Sequence, residues 1–146
     1  MFRPVYETQS DLDREMEVAR FLERIWDCKF HKTPVRYHVD FVISRGKVVL
    51  SYCEVKVRNY SMKDINNMGG YLISAGKWSS AKSLSESSGL PFTLVIKALD
   101  GIWYNLVKEN FKPDGIIIGG RDDRHDWQDT EPCILINCDR FTKVAD

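Results

Sequence analysis

The chain has 146 residues, of which 43% are apolar, and its 21 basic and 21 acidic side chains give a formal net charge of zero. This length predicts a single domain over residues 1–146 with a hydrophobic core of its own. No apolar run approaches the roughly 20 residues that a membrane span needs, and no signal-peptide pattern is present, so we expect a cytoplasmic protein without a membrane partner. The zero net charge argues modestly against nucleic-acid binding, unless basic and acidic groups occupy separate faces.

The first predicted element is a helix over residues 10–30. Ser10 or Asp11 is suited to cap its N-terminus. Apolar residues follow at helical spacing and predict one core-facing stripe. The members of that stripe are Val18, Phe21, Leu22, Ile25 and Trp26.

A β-hairpin is predicted next, with arms Tyr37–Ser44 and Val48–Val57 that are rich in Val, Ile, Phe and Tyr. Arg45-Gly46 is the predicted turn, because glycine takes the positive φ that such turns need. In this register Asp40 lies opposite residue 51 or 52, close to Glu54. Residues two apart on a strand share a face, so Glu54 and Lys56 project together.

Three charged groups, Asp40, Glu54 and Lys56, therefore converge on one patch of the sheet. Burying charge without a partner costs several kcal/mol or more, so this patch needs mutual pairing, a metal or solvent in a cleft. A few hard oxygen ligands suit Mg²⁺, which keeps several waters and shares its coordination sphere with phosphate oxygens. A neighbouring lysine can orient or deprotonate an attacking water.

The rest of the chain supplies further helices and strands. A second helix is predicted over residues 62–76, weakened by Gly69-Gly70, and a serine-rich helix follows to about Ser88. Strands are predicted at 92–99, 102–107, 115–118 and 133–137, with a polar loop at 119–132. This order predicts an α/β (α+β) fold, a mixed sheet of about five or six strands flanked by helices.

The residues Asp40 and Glu54-Val55-Lys56, on a hairpin that follows a helix, resemble the PD-(D/E)xK nuclease superfamily. Val39 stands where the proline that names the motif is found. The order of elements from residue 10 to about 107 is also similar to the core of that superfamily. The resemblance implies a restriction-endonuclease-like fold.

The same resemblance implies a role for each motif residue. Asp40, Glu54 and the backbone carbonyl of Val55 would hold Mg²⁺ or Mn²⁺, and Lys56 would position or activate water. Members often carry a glutamate on the helix before the first catalytic strand. Among Glu15, Glu17 and Glu23 we favour Glu17, and the alternative is that all three are solvated surface charges.

Candidate substrate-binding residues surround this motif. His38 shares a strand face with Asp40, and Arg58 continues the alternation of Glu54 and Lys56. Asn67 and Tyr71 are four apart on a predicted helix and resemble a Gln-xxx-Tyr pair of the superfamily, with Asn in place of Gln. Lys77 lies beside Trp78, which suits contact with a nucleic-acid backbone; the alternative is Trp78 in the core and the lysine in water.

We therefore expect a metal-dependent, phage-type nuclease that hydrolyses DNA phosphodiester bonds in recombination, repair or junction resolution. A chain this short has little surface for reading base sequence, so we expect either a homodimer or a preference for a DNA structure. The main alternative is a catalytically inactive nucleic-acid-binding module in which Glu54 and Lys56 form a plain salt bridge. A protein-interaction module on the same fold is a further alternative.

Overall fold

The computed structural model describes residues 9–34, 39–120 and 130–144. Within these ranges the helices are α1 (Gln9–Trp26), α2 (Met62–Asn67) and α3 (Ala75–Ser88). The strands are β1 (Lys29–Lys32), β2 (Phe41–Arg45), β3 (Val48–Val57), β4 (Tyr71–Ser74), β5 (Phe92–Ala98), β6 (Gly101–Val107), β7 (Gly115–Gly120), β8 (Thr130–Ile136) and β9 (Thr142–Lys143). In the described part of the chain, no helix has both the length and the apolar character required to cross a membrane.

The main sheet has six strands in the order β1-β2-β3-β5-β6-β9. β3 and β5 are parallel, whereas the other neighbouring pairs are antiparallel. The connection between the two parallel strands carries α2, β4 and α3, as a parallel pair requires a long crossover. The mixed sheet flanked by helices confirms the predicted fold class and places β3, with the candidate motif, in its interior.

Helix α1 covers one face of this sheet. Its buried residues, Glu15, Val18, Ala19 and Leu22, follow helical spacing and so form one side of the helix. The helix ends four residues before its predicted end, because Asp27 adopts a left-handed backbone with φ of 51°. The next residues form β1, which pairs with β2 and was missed in the sequence.

The opposite face is covered by α2, α3 and a three-stranded antiparallel sheet in the order β4-β8-β7. The predicted helix over 62–76 is wrong, because Gly69 and Gly70 have φ of 106° and 132° and end α2. Residues 71–74 form β4 instead and pair with β8. A side chain at Gly70 would lie 2.7 Å from the carbonyl oxygen of Ile136, so this approach requires glycine.

The β2–β3 hairpin contains one more residue on β3 than its partner strand requires. Arg45 pairs with Val48, so the two turn residues are 46 and 47 rather than 45 and 46. Ser44 pairs with Val49 and Ile43 pairs with Ser51, so Leu50 between them is left unpaired as a β-bulge. Continued to Asp40, this register aligns it with residue 54 rather than with the predicted 51 or 52.

Candidate active site

Glu54 is the centre of the candidate site. Its side chain is 0% exposed, and neither carboxylate oxygen receives a hydrogen bond of regular geometry from any described residue. The pKa of Glu54 is raised to about 7: burial is the largest cause and the charge of Asp40 adds to it, whereas the ammonium groups of Lys56 and Lys77 partly oppose both. The fold thus holds this carboxylate in the interior of its main sheet, where lysine ammonium groups rather than hydrogen bonds of regular geometry oppose its charge.

Asp40 is buried and fixed to β3 at the point where β2 begins. Its Oδ2 accepts a hydrogen bond from the backbone amide of Val55 at 2.9 Å. Its own backbone amide donates to the carbonyl oxygen of Cys53 at 3.0 Å, and the amide of Thr33 donates to its carbonyl at 3.0 Å. These contacts hold the carboxylate beside the residue that separates Glu54 from Lys56.

Lys56 follows Glu54 by two residues and shares its face of β3. Its Nζ lies 3.8 Å from Glu54 Oε2, and its side chain is 23% exposed. Burial lowers the pKa of Lys56, but the carboxylates of Glu54 and Asp40 outweigh burial, so that this pKa lies above its ordinary value. Lys56 is therefore an ammonium group at neutral pH in the metal-free protein.

Lys77, predicted as a substrate-binding residue, lies in the site. It belongs to the first turn of α3, and its Nζ lies 3.2 Å from Glu54 Oε2. In the sequence this lysine was a candidate only because it lies beside an aromatic residue. Trp78 packs in the core with Phe92 and Phe111, as the alternative interpretation had it.

Arg58 and Tyr71 border the same patch. The Arg58 guanidinium lies over the Tyr71 ring, 6.0 Å from its centroid, at the distance of a cation–π contact. Burial raises the pKa of Tyr71 to about 12, and the charges of Arg58, Glu54, Lys77 and Asp40 also act on its hydroxyl. The structure therefore brings both predicted residues together with the motif.

Asn67 and Tyr71 do not share a helix face as predicted. Asn67 is exposed at the last residue of α2, whereas Tyr71 is buried on β4. The glycine pair between them reverses the chain, so that spacing by four carries no helical meaning here. The remaining candidate, His38, lies outside the described residues.

On α1 the structure favours Glu15 over the predicted Glu17. The Glu17 side chain is exposed, whereas Glu15 is 6% exposed, and its charge acts on Lys56 to raise the pKa of that amine. Glu23 is used elsewhere, since its Oε2 accepts the backbone amide of Phe30 at 2.7 Å. The signal in the sequence is helical spacing: Glu15 continues the buried side formed by Val18, Ala19 and Leu22.

The donor set of the site fits a Mg²⁺ ion. Among the described residues, no group of three or more His, Cys, Asp or Glu side chains is arranged to hold a metal. Mg²⁺ is usually held by only one or two carboxylates, with water and phosphate oxygens completing its coordination. Asp40 and Glu54 supply two carboxylates, and Glu54 is fully buried with lysine ammonium groups, rather than hydrogen bonds of regular geometry, against its Oε2.

The chain is similar to one known family and to a solved structure. A family model described as "Phage putative PDDEXK endonuclease" matches residues 1–144. No curated protein sequence matches the chain. Among solved structures, Hjc from Archaeoglobus fulgidus, a Holliday junction resolvase from an archaeal hyperthermophile, is similar with a TM-score of 0.44 and 16% identity, over 60% of this chain and 74% of that chain. By the match over nearly its whole length, this chain belongs to the phage PDDEXK endonuclease family.

Proposed function

We propose that this chain is a metal-dependent nuclease that hydrolyses phosphodiester bonds of DNA in the cytoplasm of a phage-infected cell. The observation that carries the proposal is Glu54, which is fully buried on β3 with two lysine ammonium groups near its Oε2, at 3.2 and 3.8 Å. Asp40 and Lys56 lie beside it, in the pattern that names the family. A buried carboxylate whose charge is opposed by side-chain cations also suits a divalent metal ion.

Each residue of the site has a definite task in this proposal. Asp40, Glu54 and the Val55 carbonyl would hold Mg²⁺ or Mn²⁺, which when bound supplies Lewis-acid stabilisation of the charge on phosphate. Lys56 orients the attacking water through its ammonium group and balances negative charge on the phosphate oxygens. Arg58 binds a neighbouring phosphate, because a guanidinium forms strong charge-assisted hydrogen bonds with phosphate oxygens.

The proposed substrate is DNA with a distinctive structure, such as a flap or a four-way junction. The support for it is size: a chain of 146 residues offers little surface for reading bases. Phosphate contacts position a protein on DNA without reading sequence, and the basic residues of the site, Lys56, Arg58 and Lys77, are suited to such contacts.

We also propose that the chain acts as a homodimer that pairs through β7. Within the described residues β7 is an edge strand, and Ile116, Ile117 and Ile118 are 68%, 42% and 70% exposed. The segment 115–119 reads Gly-Ile-Ile-Ile-Gly in both directions, so two copies can pair antiparallel about Ile117 with glycine opposite glycine.

The area available sets the strength of this pairing. Complete burial of the exposed isoleucine surface of both copies would contribute at most roughly 5–10 kcal/mol. Loss of translational and rotational freedom on association costs roughly 4–15 kcal/mol. The two are comparable, so we expect a dimer that dissociates on dilution.

An inactive binding module is a second candidate, favoured by one observation. Lys56 and Lys77 both lie within 4 Å of Glu54 Oε2, at 3.8 and 3.2 Å, and such a cluster also occurs as a structural ion pair. This candidate predicts that DNA is bound without a metal and is never cleaved.

A cleavage assay separates the two candidates. Wild type and Glu54→Gln are incubated with single-stranded, duplex, flapped and four-way-junction DNA, each with Mg²⁺, with Mn²⁺ and with a chelator. We expect metal-dependent cleavage by wild type, strongest on branched DNA, and its loss in the variant. Folded wild-type protein that binds DNA but cleaves none of the substrates would overturn the nuclease proposal.

A further inference from the structure

Two lysines from different parts of the chain approach Glu54, and the one outside the family motif is nearer. Lys77 Nζ, from α3, lies 3.2 Å from Glu54 Oε2, whereas Lys56 Nζ, from the same strand, lies 3.8 Å from it. The motif lysine thus shares the carboxylate with a second ammonium group. The sequence motif does not predict this second cation.

The position of Lys77 in its helix is unfavourable for a cation. It lies in the first turn of α3, and that turn contains no acidic residue. The positive end of the helix dipole repels an ammonium group there. Its backbone amide is capped by the Ser74 hydroxyl at 3.2 Å, so the helix start needs the backbone of Lys77 but not its charge. The contact with Glu54 explains why a lysine is tolerated at this position.

Lys77 also has a route away from Glu54. Its side chain is 31% exposed, whereas Glu54 is 0% exposed, so the lysine enters the site from the solvent side. A metal ion held by Glu54 would compete with this ammonium group for the same carboxylate, whose Oε2 lies against Lys77 Nζ. Two cations in contact with one buried carboxylate repel each other strongly, because the surrounding dielectric is low.

We propose that Lys77 is an internal counter-ion that neutralises Glu54 in the metal-free protein and leaves it when a divalent metal ion binds. The inference rests on the proposed function, since it takes Glu54 as a metal ligand. Once displaced, Lys77 remains at the solvent side of the site beside the N-terminus of α3. A DNA phosphate is the anion that replaces Glu54 as its partner. Metal binding thereby prepares the site for substrate.

The test is a calorimetric titration with Mn²⁺ alone, without DNA, in mildly alkaline buffer. Lys77→Met removes the charge and keeps an unbranched side chain, and we expect it to bind Mn²⁺ about tenfold more tightly than wild type. Lys77→Arg keeps the charge and is expected to bind within about twofold of wild type. The control Lys63→Met removes an exposed lysine of α2 and is expected to change the affinity by less than about twofold.

Cleavage kinetics give a second readout. Lys77→Met is expected to need less metal for half-maximal cleavage and yet to be slower at saturating metal, because the phosphate contact is lost. A structural role alone would not shift these two quantities in opposite directions. A saturated rate equal to that of wild type would overturn the phosphate contact.

The outcomes separate this inference from the proposed function. Unchanged or weaker Mn²⁺ binding by Lys77→Met, with wild type binding normally, overturns the counter-ion and leaves the nuclease proposal standing. The same result with Lys77→Arg also weakened would mean that Lys77 holds Glu54 in place. Absence of Mn²⁺ binding by wild type and by every variant overturns both proposals.

Discussion

Oδ2 of Asp40 accepts the backbone amide of Val55 at 2.9 Å, so that one carboxylate of the site is fixed to the strand that carries the other. The bond places Asp40 beside the residue between Glu54 and Lys56. The bond also uses Oδ2 of Asp40, so that this oxygen is held by the backbone of β3. The alignment of Asp40 with Glu54 and Lys56 therefore depends on the Asp40 side chain, which bonds the start of β2 to β3.

Asp40→Asn tests the charge of this carboxylate apart from its hydrogen bond. The asparagine carbonyl oxygen can still accept from Val55, so we expect the free energy of unfolding to change by less than about 1 kcal/mol. Cleavage is expected to fall by about 10²-fold or more, because one of two anionic ligands is lost. Asp139→Asn, at an exposed position, is the matched control and should cleave like wild type.

Glu15→Gln and Glu17→Gln compare two glutamates of the same helix. Only Glu15 is buried and acts on Lys56, so we expect its substitution to slow cleavage by about tenfold or more. Glu17→Gln should leave the rate unchanged, since its side chain is exposed. Initial rates under saturating metal measure both. Slower cleavage by Glu17→Gln, with Glu15→Gln as active as wild type, would show that Glu17 is the helix glutamate of the site, as predicted from the sequence.

The pKa of Glu54 predicts how stability changes with pH in the metal-free protein. Its pKa in the folded state, about 7, lies above the ordinary value of 4.5, so the folded protein holds a proton that the unfolded chain releases. Stability from this group therefore falls as pH rises from about 4.5 through about 7, by roughly 3 kcal/mol in all. Glu54→Gln cannot ionise and should lack this loss.

Urea unfolding with a chelator present, at about pH 5 and about pH 8, measures the difference. Wild type and Glu54→Gln should have similar free energies of unfolding at the lower pH, and the variant should be the more stable at the higher pH. A difference between the two proteins that stays constant with pH would show that Glu54 is ionised throughout this range.

Arg58→Gln tests the proposed phosphate contact. Binding of duplex DNA without metal should weaken for every sequence alike, and the slope of log affinity against log salt should fall by about one contact. Lys47→Gln is the control, since Lys47 is exposed in the turn of the β2–β3 hairpin. Fluorescence anisotropy at several salt concentrations gives both slopes. Equal slopes for Arg58→Gln and wild type would show that Arg58 does not contact a DNA phosphate.

Ile118→Lys tests pairing through β7. The side chain is 70% exposed, so a lysine is tolerated in a monomer but places two like charges near each other in the paired dimer. Sedimentation velocity over a range of protein concentrations should show a dimer for wild type and a monomer for the variant. Leu99→Lys, at a similarly exposed apolar position outside β7, should dimerise like wild type.

The sequence was sufficient to predict the features set by local pattern. Runs rich in apolar, β-branched and aromatic residues predicted β2, β3, β5 and β6, and the pair Glu54 and Lys56 lies on one face because a strand has a period of two. The helix α1 followed from its apolar spacing. The glutamate on its buried side is Glu15, half a turn from the predicted Glu17, because Phe21 and Ile25 are apolar but not buried. Because apolar residues also occur on the exposed side of a helix, their spacing alone does not identify its buried side.

The rest depends on contacts between distant residues. Residues 71–74 pair with β8, from Tyr71 with Ile136 to Ser74 with Cys133, and no local pattern indicates so distant a partner. The approach of Lys77 to Glu54 likewise results from how α3 packs against the main sheet. Tyr71 joined the site for a reason other than the predicted one, since β4 rather than a helix carries it.

The extra residue in β3 has a consequence for how the hairpin tolerates changes of length. Removing it would leave Asp40 opposite Glu54, because Ser44 already pairs with Val49 and Ile43 with Ser51 on either side of it. A relative that lacks a residue between positions 51 and 54, with the pairing at the turn kept, would instead have its aspartate and glutamate on opposite faces of the sheet. Deletions beside the motif, rather than at the bulge, are therefore expected to separate the two carboxylates.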